Sequence, residues 1–257
     1  MGRPDTRDQD GPVAEIEAVL LDVGGVFHLP DHARMLGALA RLDIAAEPGA
    51  LDRAHYAGIA ALGDRRPLGH HGDGSGIWHA YNRAYAQVCG VPDHRLDEAT
   101  EVLLAEFGRG GVWTREIPGA RDALQAIADR GLRLAIVSNA DGTVEEQLGR
   151  DGICQVGPGP GVEVHAVLDS GVVGMAKPDP AIFRFALELL GVAPEAAIHV
   201  GDTPAADVMG ARAAGVQPVL VDPYDLHPDA TCPRVPHLAG VVELLAAEFP
   251  DRGAPRI

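Results

Sequence analysis

Ala18-Val19-Leu20-Leu21-Asp22-Val23-Gly24-Gly25-Val26-Phe27 is the stretch on which the fold turns. An unbroken apolar run of this kind predicts a strand buried on both faces of a parallel sheet, and the run stops at an acid followed shortly by two glycines. Asp22 is therefore expected at the carboxyl end of a strand. Ligands of open α/β sheets bind in the crevice just outside those ends, and glycine lets backbone come close to a ligand. The alternative is an aspartate that merely closes a strand into a turn.

Three later segments repeat the pattern of an apolar run ending in polar residues: Leu134-Ala135-Ile136-Val137-Ser138-Asn139, Gly174-Met175-Ala176-Lys177-Pro178-Asp179-Pro180, and Ala197-Ile198-His199-Val200-Gly201-Asp202-Thr203-Pro204-Ala205-Ala206-Asp207. In this order the four segments resemble the motifs of the haloacid dehalogenase-like superfamily of phosphohydrolases, from about Val19 to about Val221. The resemblance implies an α/β fold with a doubly wound parallel sheet, a magnesium ion, and a small phosphorylated substrate. It leaves the identity of that substrate open.

Phosphoryl transfer needs an in-line nucleophile, a cation that neutralises the equatorial oxygens and donors that hold them. By position and by resemblance Asp22 is the candidate nucleophile, forming an aspartyl-phosphate. Magnesium takes hard oxygen ligands. The resemblance implies Asp22, Asp202 and the Gly24 carbonyl as ligands, with Asp207 as a further ligand or as the group that orients bound water. Asp202 and Asp207 could otherwise be ordinary loop and helix-capping acids. Ser138, Asn139, Lys177 and the backbone at Gly25 are implied to hold the phosphoryl oxygens, although Ser138 alone could be capping a helix. The chain departs from the pattern at Gly24, where related phosphatases carry a second aspartate as general acid and base. Such assistance contributes about 10²–10⁴-fold. Its absence leaves a slower enzyme, a good leaving group, or a substitute such as His28 or a histidine of the inserted helices, among them His79.

Composition narrows the class. The 257 residues are 46% hydrophobic and 23% charged, with a formal net charge of −16, which argues against nucleic-acid partners and anionic membrane surfaces. Met1 to Asp10 is polar and no run reaches the length of a membrane span, so neither a secretory signal nor a transmembrane segment is expected. Cys89, Cys154 and Cys232 are odd in number and widely spaced, which suits inert thiols in a reduced cytoplasm. The chain has 20 arginines and a single lysine, Lys177. A sequence that writes arginine wherever a positive surface charge will do, yet keeps one lysine inside a motif, points to a compact ammonium needed at that place.

The remainder reads as one α/β core with an insert. Residues 15–30 and 112–250 are expected to form the core and 1–14 and 251–257 mobile termini. Residues 31–111 carry helical periodicity in four stretches, His32 to Leu42, Ala50 to Leu62, Ile77 to Val88 and Leu96 to Phe107, and are expected to form a helical cap over the crevice. A glycine-rich loop between two of these helices holds Arg65, Arg66, His70 and His71. The arginines are candidate substrate contacts, since guanidinium forks suit phosphate or carboxylate. The histidines lack metal-ligand spacing. In the core, strands are expected at Leu132 to Val137, Val164 to Leu168 and Val216 to Val221.

The expected activity is a magnesium-dependent phosphatase of a small phosphorylated metabolite, a sugar phosphate or similar ester, working as a monomer or homodimer. The competing reading is a non-catalytic phosphate-ligand protein descended from a hydrolase. A haloacid dehalogenase fits less well, because Asp202 and Asp207 would have no task. An insert without lysine argues against a phosphonate-cleaving relative, which uses a cap lysine.

Overall fold

The computed structural model describes residues 15–63 and 76–248. The expected mobile termini and the loop with Arg65, Arg66, His70 and His71 lie outside the described residues. The chain starts with β1 (Ala18–Leu21) and β2 (His28–Pro30), winds through α1 (His32–Ala40), α2 (Pro48–Leu62), α3 (Gly76–Val88) and α4 (Leu96–Phe107), and returns in β3 (Trp113–Glu116), which pairs antiparallel with β2. It continues through α5 (Ala120–Ala128), β4 (Arg133–Ser138), α6 (Val144–Arg150), β5 (Cys154–Val156), β6 (Val162–Val164), β7 (Ala166–Asp169) and α7 (Ser170–Val173). The last part is α8 (Pro180–Leu190), β8 (Ala197–Gly201), α9 (Met209–Ala214), β9 (Gln217–Val221), β10 (Arg234–Val235) and α10 (Leu238–Glu248).

Among the described residues the main sheet has six parallel strands in the order β10-β9-β8-β1-β4-β7. The chain runs outward from β1 through β4 and β7, then returns to the other side of β1 for β8, β9 and β10. The order reverses at β1, and a crevice opens at such a switch point. Alternation along β1 builds both layers. Val19 and Leu21 pack with Leu124 and Ile127 of α5, Leu148 of α6 and Val241 of α10, whereas Ala18 and Leu20 pack with Ile182 and Phe183 of α8 and Ala211 of α9. Each fully buried aliphatic side chain contributes about 1.5–3 kcal/mol relative to exposure, so a continuous apolar run is what this position demands.

The four inserted helices have a hydrophobic cluster of their own, with Met35, Leu51, Tyr81, Tyr85, Leu103 and Phe107 at its centre. Glu106 is buried at its edge beneath Arg34, Arg41 and Arg109. Cys89 and Cys154 are buried, with burial pushing both thiols up to about 12. No described helix is long and apolar enough to cross a membrane.

The strand expected at Val164 to Leu168 is two strands. Val162–Val164 pairs with β5 in a small separate sheet, and Ala166–Asp169 joins the main sheet beside β4. The break falls at His165, whose backbone N–H donates to Leu134 O at 2.8 Å while its ring Nδ1 accepts from Leu134 N at 3.2 Å. After β8 the chain makes a wider π turn at Pro204–Val208, and regular α-helix begins at Met209.

Candidate active site

Three adjacent strands end at one place. Asp22 follows β1, with its N–H donating to Val200 O at 2.9 Å; Ser138 closes β4; Asp202 follows β8. Asp22, Ser138, Asn139, Lys177, Asp202 and Gly24 all line one cavity of about 660 Å³. Lys177 is 2% exposed, and its Nζ stands 2.7 Å from both Asp22 Oδ1 and Asp207 Oδ1. Asp22, Ser138, Asn139, Lys177 and Asp202 thus meet as their positions in the chain predict.

Local structure explains how the lysine is aimed. The Asn139 side chain clasps its backbone: Nδ2 donates to Lys177 O and Oδ1 accepts from Lys177 N, both at 2.8 Å. Two residues on, Asp179 accepts from Ala181 N at 2.9 Å and caps α8, with Pro180 in its first turn. The loop after β4 is fastened by buried Asp169, which accepts from Gly142 N and Val144 N at 3.0 and 3.2 Å.

Glycine is required twice for steric reasons. A Cβ at Gly25, which has φ +67°, would fall on the Asp202 carboxylate, and one at Gly201 would fall on the Asp207 carboxylate. Gly25 does not, however, join the cavity lining. Its N–H donates to His28 O at 2.9 Å and its carbonyl accepts from Tyr56 Oη at 2.8 Å, so the expected backbone contact with substrate is replaced by this steric role. Asp207 is held by three partners. Oδ1 takes Lys177 Nζ and, at 2.9 Å, His199 Nε2, while Oδ2 accepts from Thr203 N at 2.9 Å. Both oxygens are engaged, which makes Asp207 the lysine's counter-ion and an anchor of the Asp202 loop.

The charges in the cluster do not balance. Ligand oxygens of Asp22, Asp202 and Asp207 lie within 4.8 Å of one another, and Lys177 is the cation among them. Burial, with Asp207 and Asp202 nearby, pushes the Asp22 carboxyl up to about 7 in spite of Lys177. Burial alone would lower Lys177, but Asp207 and Asp22 raise it above its ordinary value. Burial likewise works against charge on Asp207, yet Lys177 and the His199 bond hold it below the usual carboxylate range. Burial keeps His199 below the ordinary histidine range. A pocket of buried oxygen donors with surplus negative charge fits a hard divalent cation, with Asp22 and Asp202 as the carboxylates that face the cavity.

The helical insert supplies groups that no motif announced. His55 of α2 reaches across to Asp202, with Nε2 2.8 Å from Oδ2, and its Nδ1 lies 2.9 Å from Tyr81 Oη of α3. Leu51, His55, Ile59 and Leu62 are buried along one face of α2. A titratable ring on an apolar stripe was the one signal in the sequence that could have marked it. His28 and His79 are not in the cavity lining. His28 is buried with Nε2 3.1 Å from Asp151 Oδ2, and His79 is half-buried beside Glu101. As stand-ins for the acid missing at Gly24 both are displaced by geometry.

The description haloacid dehalogenase-like hydrolase belongs to the family model that matches residues 16–215. The chain is a member of that family. A Mus musculus protein described as haloacid dehalogenase-like hydrolase domain-containing protein 3 is 34% identical over 176 residues, covering 64% of this chain and 66% of that protein. A Thermus thermophilus phosphoserine phosphatase is 39% identical over 142 residues, 55% of this chain and 53% of the relative. The chain thus spans between about half and two thirds of these relatives' length. Among solved structures of the family, a hydrolase from Deinococcus radiodurans with bound phosphate and sodium superposes with TM-score 0.57 at 21% identity, covering 94% of this chain and all of that one, a likeness of fold.

Proposed function

We propose that this chain is a magnesium-dependent phosphatase that cleaves a small phosphorylated metabolite through an aspartyl-phosphate on Asp22. The observation that carries the reading is the meeting of Asp22, Lys177 and Asp202 at the carboxyl ends of β1 and β8 and the loop before α8. A carboxylate held at 2.7 Å by a buried ammonium is oriented for attack, and the ammonium offsets charge that gathers on the phosphoryl oxygens in the transition state. Ser138 and the Asn139 N–H hold those oxygens in this scheme. Magnesium, bound by Asp22, Asp202 and the Gly24 carbonyl, supplies further charge neutralisation. Residues 31–111 serve as a cap whose helices exclude water from the site, on a core of 15–30 and 112–250. The Thermus thermophilus relative's name supports a phosphate monoester as substrate.

Gly24 favours a second reading, a protein that binds a phosphate ligand without turning it over. p-Nitrophenyl phosphate separates the two, because its leaving group needs little protonation. The phosphatase hydrolyses it with magnesium and loses the activity in Asp22→Asn. Ligand-induced shifts in Tm without hydrolysis of this or any other phosphate ester support the binder and refute the enzyme.

A further inference from the structure

The residue at position 24 faces an aromatic wall. A Cβ built on Gly24 meets the six-membered ring of Trp113 at 3.6, 3.8 and 4.0 Å, so there is room for one carbon and then the indole. That indole is set in place by its neighbours: the Gln147 amide donates to the Trp113 carbonyl, and the ring packs against Phe107 and edge-on to His55, with centroids 6.1 and 5.3 Å apart. Ile59, Leu62, Trp78 and Phe107 continue the apolar lining of the cavity that holds Asp22.

No described lining residue offers a buried acid with an uncommitted proton. His55 has both ring nitrogens engaged, by Asp202 and Tyr81. Lys177 is bound to two carboxylates, and Arg109 lies on Glu106. Asp141 is exposed and accepts from Thr143 Oγ1 at 2.6 Å. Among the described lining residues, then, a leaving oxygen finds no such donor, and it departs beside an aromatic surface.

We infer that the site is specific for aryl phosphate monoesters, whose ring lies against Trp113 and whose oxygen leaves as a phenolate. The inference rests on the phosphatase reading above and narrows its substrate class away from sugar phosphates. In the first step an Asp22 oxygen bonds to phosphorus while the phosphorus–aryl oxygen bond breaks, its electron pair staying on the phenolate, which takes a proton from bulk water. In the second, water attacks phosphorus, releasing inorganic phosphate, a proton and the Asp22 carboxylate. Trp113 is then the specificity-determining residue, and Gly24 leaves space for it.

The test is a series of substituted phenyl phosphates spanning leaving-group pKa, together with glycerol 3-phosphate and glucose 6-phosphate, assayed with magnesium on the full chain. kcat/KM is expected to fall steeply as leaving-group pKa rises, with the alkyl esters roughly 10²–10⁴-fold below the aryl ones, the range a general acid contributes. Trp113→Leu is expected to raise KM for phenyl phosphates by about two- to tenfold, the worth of an aromatic pair, and Trp113→Phe to keep it near the wild-type value. The double variant Gly24→Asp/Trp113→Leu, which gives an acid the space of the indole, should flatten the series. A flat series in the wild type, or one that becomes steep only in His55→Gln, overturns the inference and leaves the phosphatase reading standing. No turnover of any ester overturns both.

Discussion

Lys177→Met removes the ammonium and keeps nearly the same length of side chain, so little cavity is left and the change is electrostatic. The lysine side chain is 1% exposed, and its partners Asp22 and Asp207 are 13% and 1% exposed, each 2.7 Å from Nζ. Deleting one partner of a buried pair leaves uncompensated charge and costs about 3–5 kcal/mol, a large share of the ~5–15 kcal/mol that holds a domain folded. In a chain of this size that corresponds to roughly 6–20 °C in Tm, at about 2–4 °C per kcal/mol. Urea and thermal unfolding in EDTA measure it without help from a bound cation. Asp207→Asn in the same background removes one stranded charge, so the double variant should recover at least ~1 kcal/mol relative to additivity. A single-variant loss below ~1 kcal/mol, or strict additivity, would show that Lys177 is not the counter-charge of this cluster. Lys177→Arg is expected to fail as a substitute, because a planar guanidinium does not fit where one compact ammonium touches two carboxylates.

Gly25→Ala places a methyl group on Asp202 at a left-handed φ; the backbone conformation alone costs about 1–2 kcal/mol, and magnesium affinity measured by calorimetry should fall with stability. Magnesium itself should stabilise the wild type by about 2.7 kcal/mol at a hundredfold excess over Kd, seen as a higher Tm than in EDTA, and phosphatase activity should vanish in EDTA and return with magnesium; an unchanged Tm would count against the ion site. Burial pushes the Glu106 carboxyl up, but hydrogen bonds from Arg41 and Arg34 and the nearby Arg109 outweigh it and hold it below the ordinary range. A depressed carboxylate contributes stability that is complete above its unfolded pKa and is lost as pH falls through its folded one. Glu106→Gln should therefore cost about 1–2 kcal/mol at pH 7, discounted for the half-exposed arginines, and the gap from wild type should close in acid; a gap independent of pH would refute the assignment.

Much of the core was legible because parallel strands must be apolar on both faces, so the polar residue that ends each run marks the crevice. That rule, together with the order of the four motifs, marked Asp22, Ser138 and Asp202, and the lone lysine of an arginine-rich chain marked Lys177, all of which line one cavity. It could not separate Asp202 from Asp207, since both are acids near one helix start; only the bonds from Lys177, His199 and Thr203 show that Asp207 is engaged at both oxygens. His199 was hidden inside an apolar strand. His55, Tyr81 and Trp113 were invisible for a different reason. Helical periodicity tells which face of α2 or α3 is buried, not what it is buried against, and Trp113 stands at the start of a short strand after the insert. The meaning of Gly24 was half legible: the sequence showed the missing carboxyl, and the structure shows the indole facing that position.

Without an acid at position 24 there is also no base there to activate water, so the second chemical step should be slow with a good leaving group and the phosphorylated enzyme should accumulate. Rapid acid quench of the magnesium-loaded enzyme with p-nitrophenyl phosphate, followed by peptide mass spectrometry, tests the nucleophile directly. A burst of p-nitrophenol matched by one phosphoryl group on the peptide that contains Asp22 is expected. A burst with that peptide unmodified, or a phosphoryl group on another residue, would contradict Asp22 as the nucleophile.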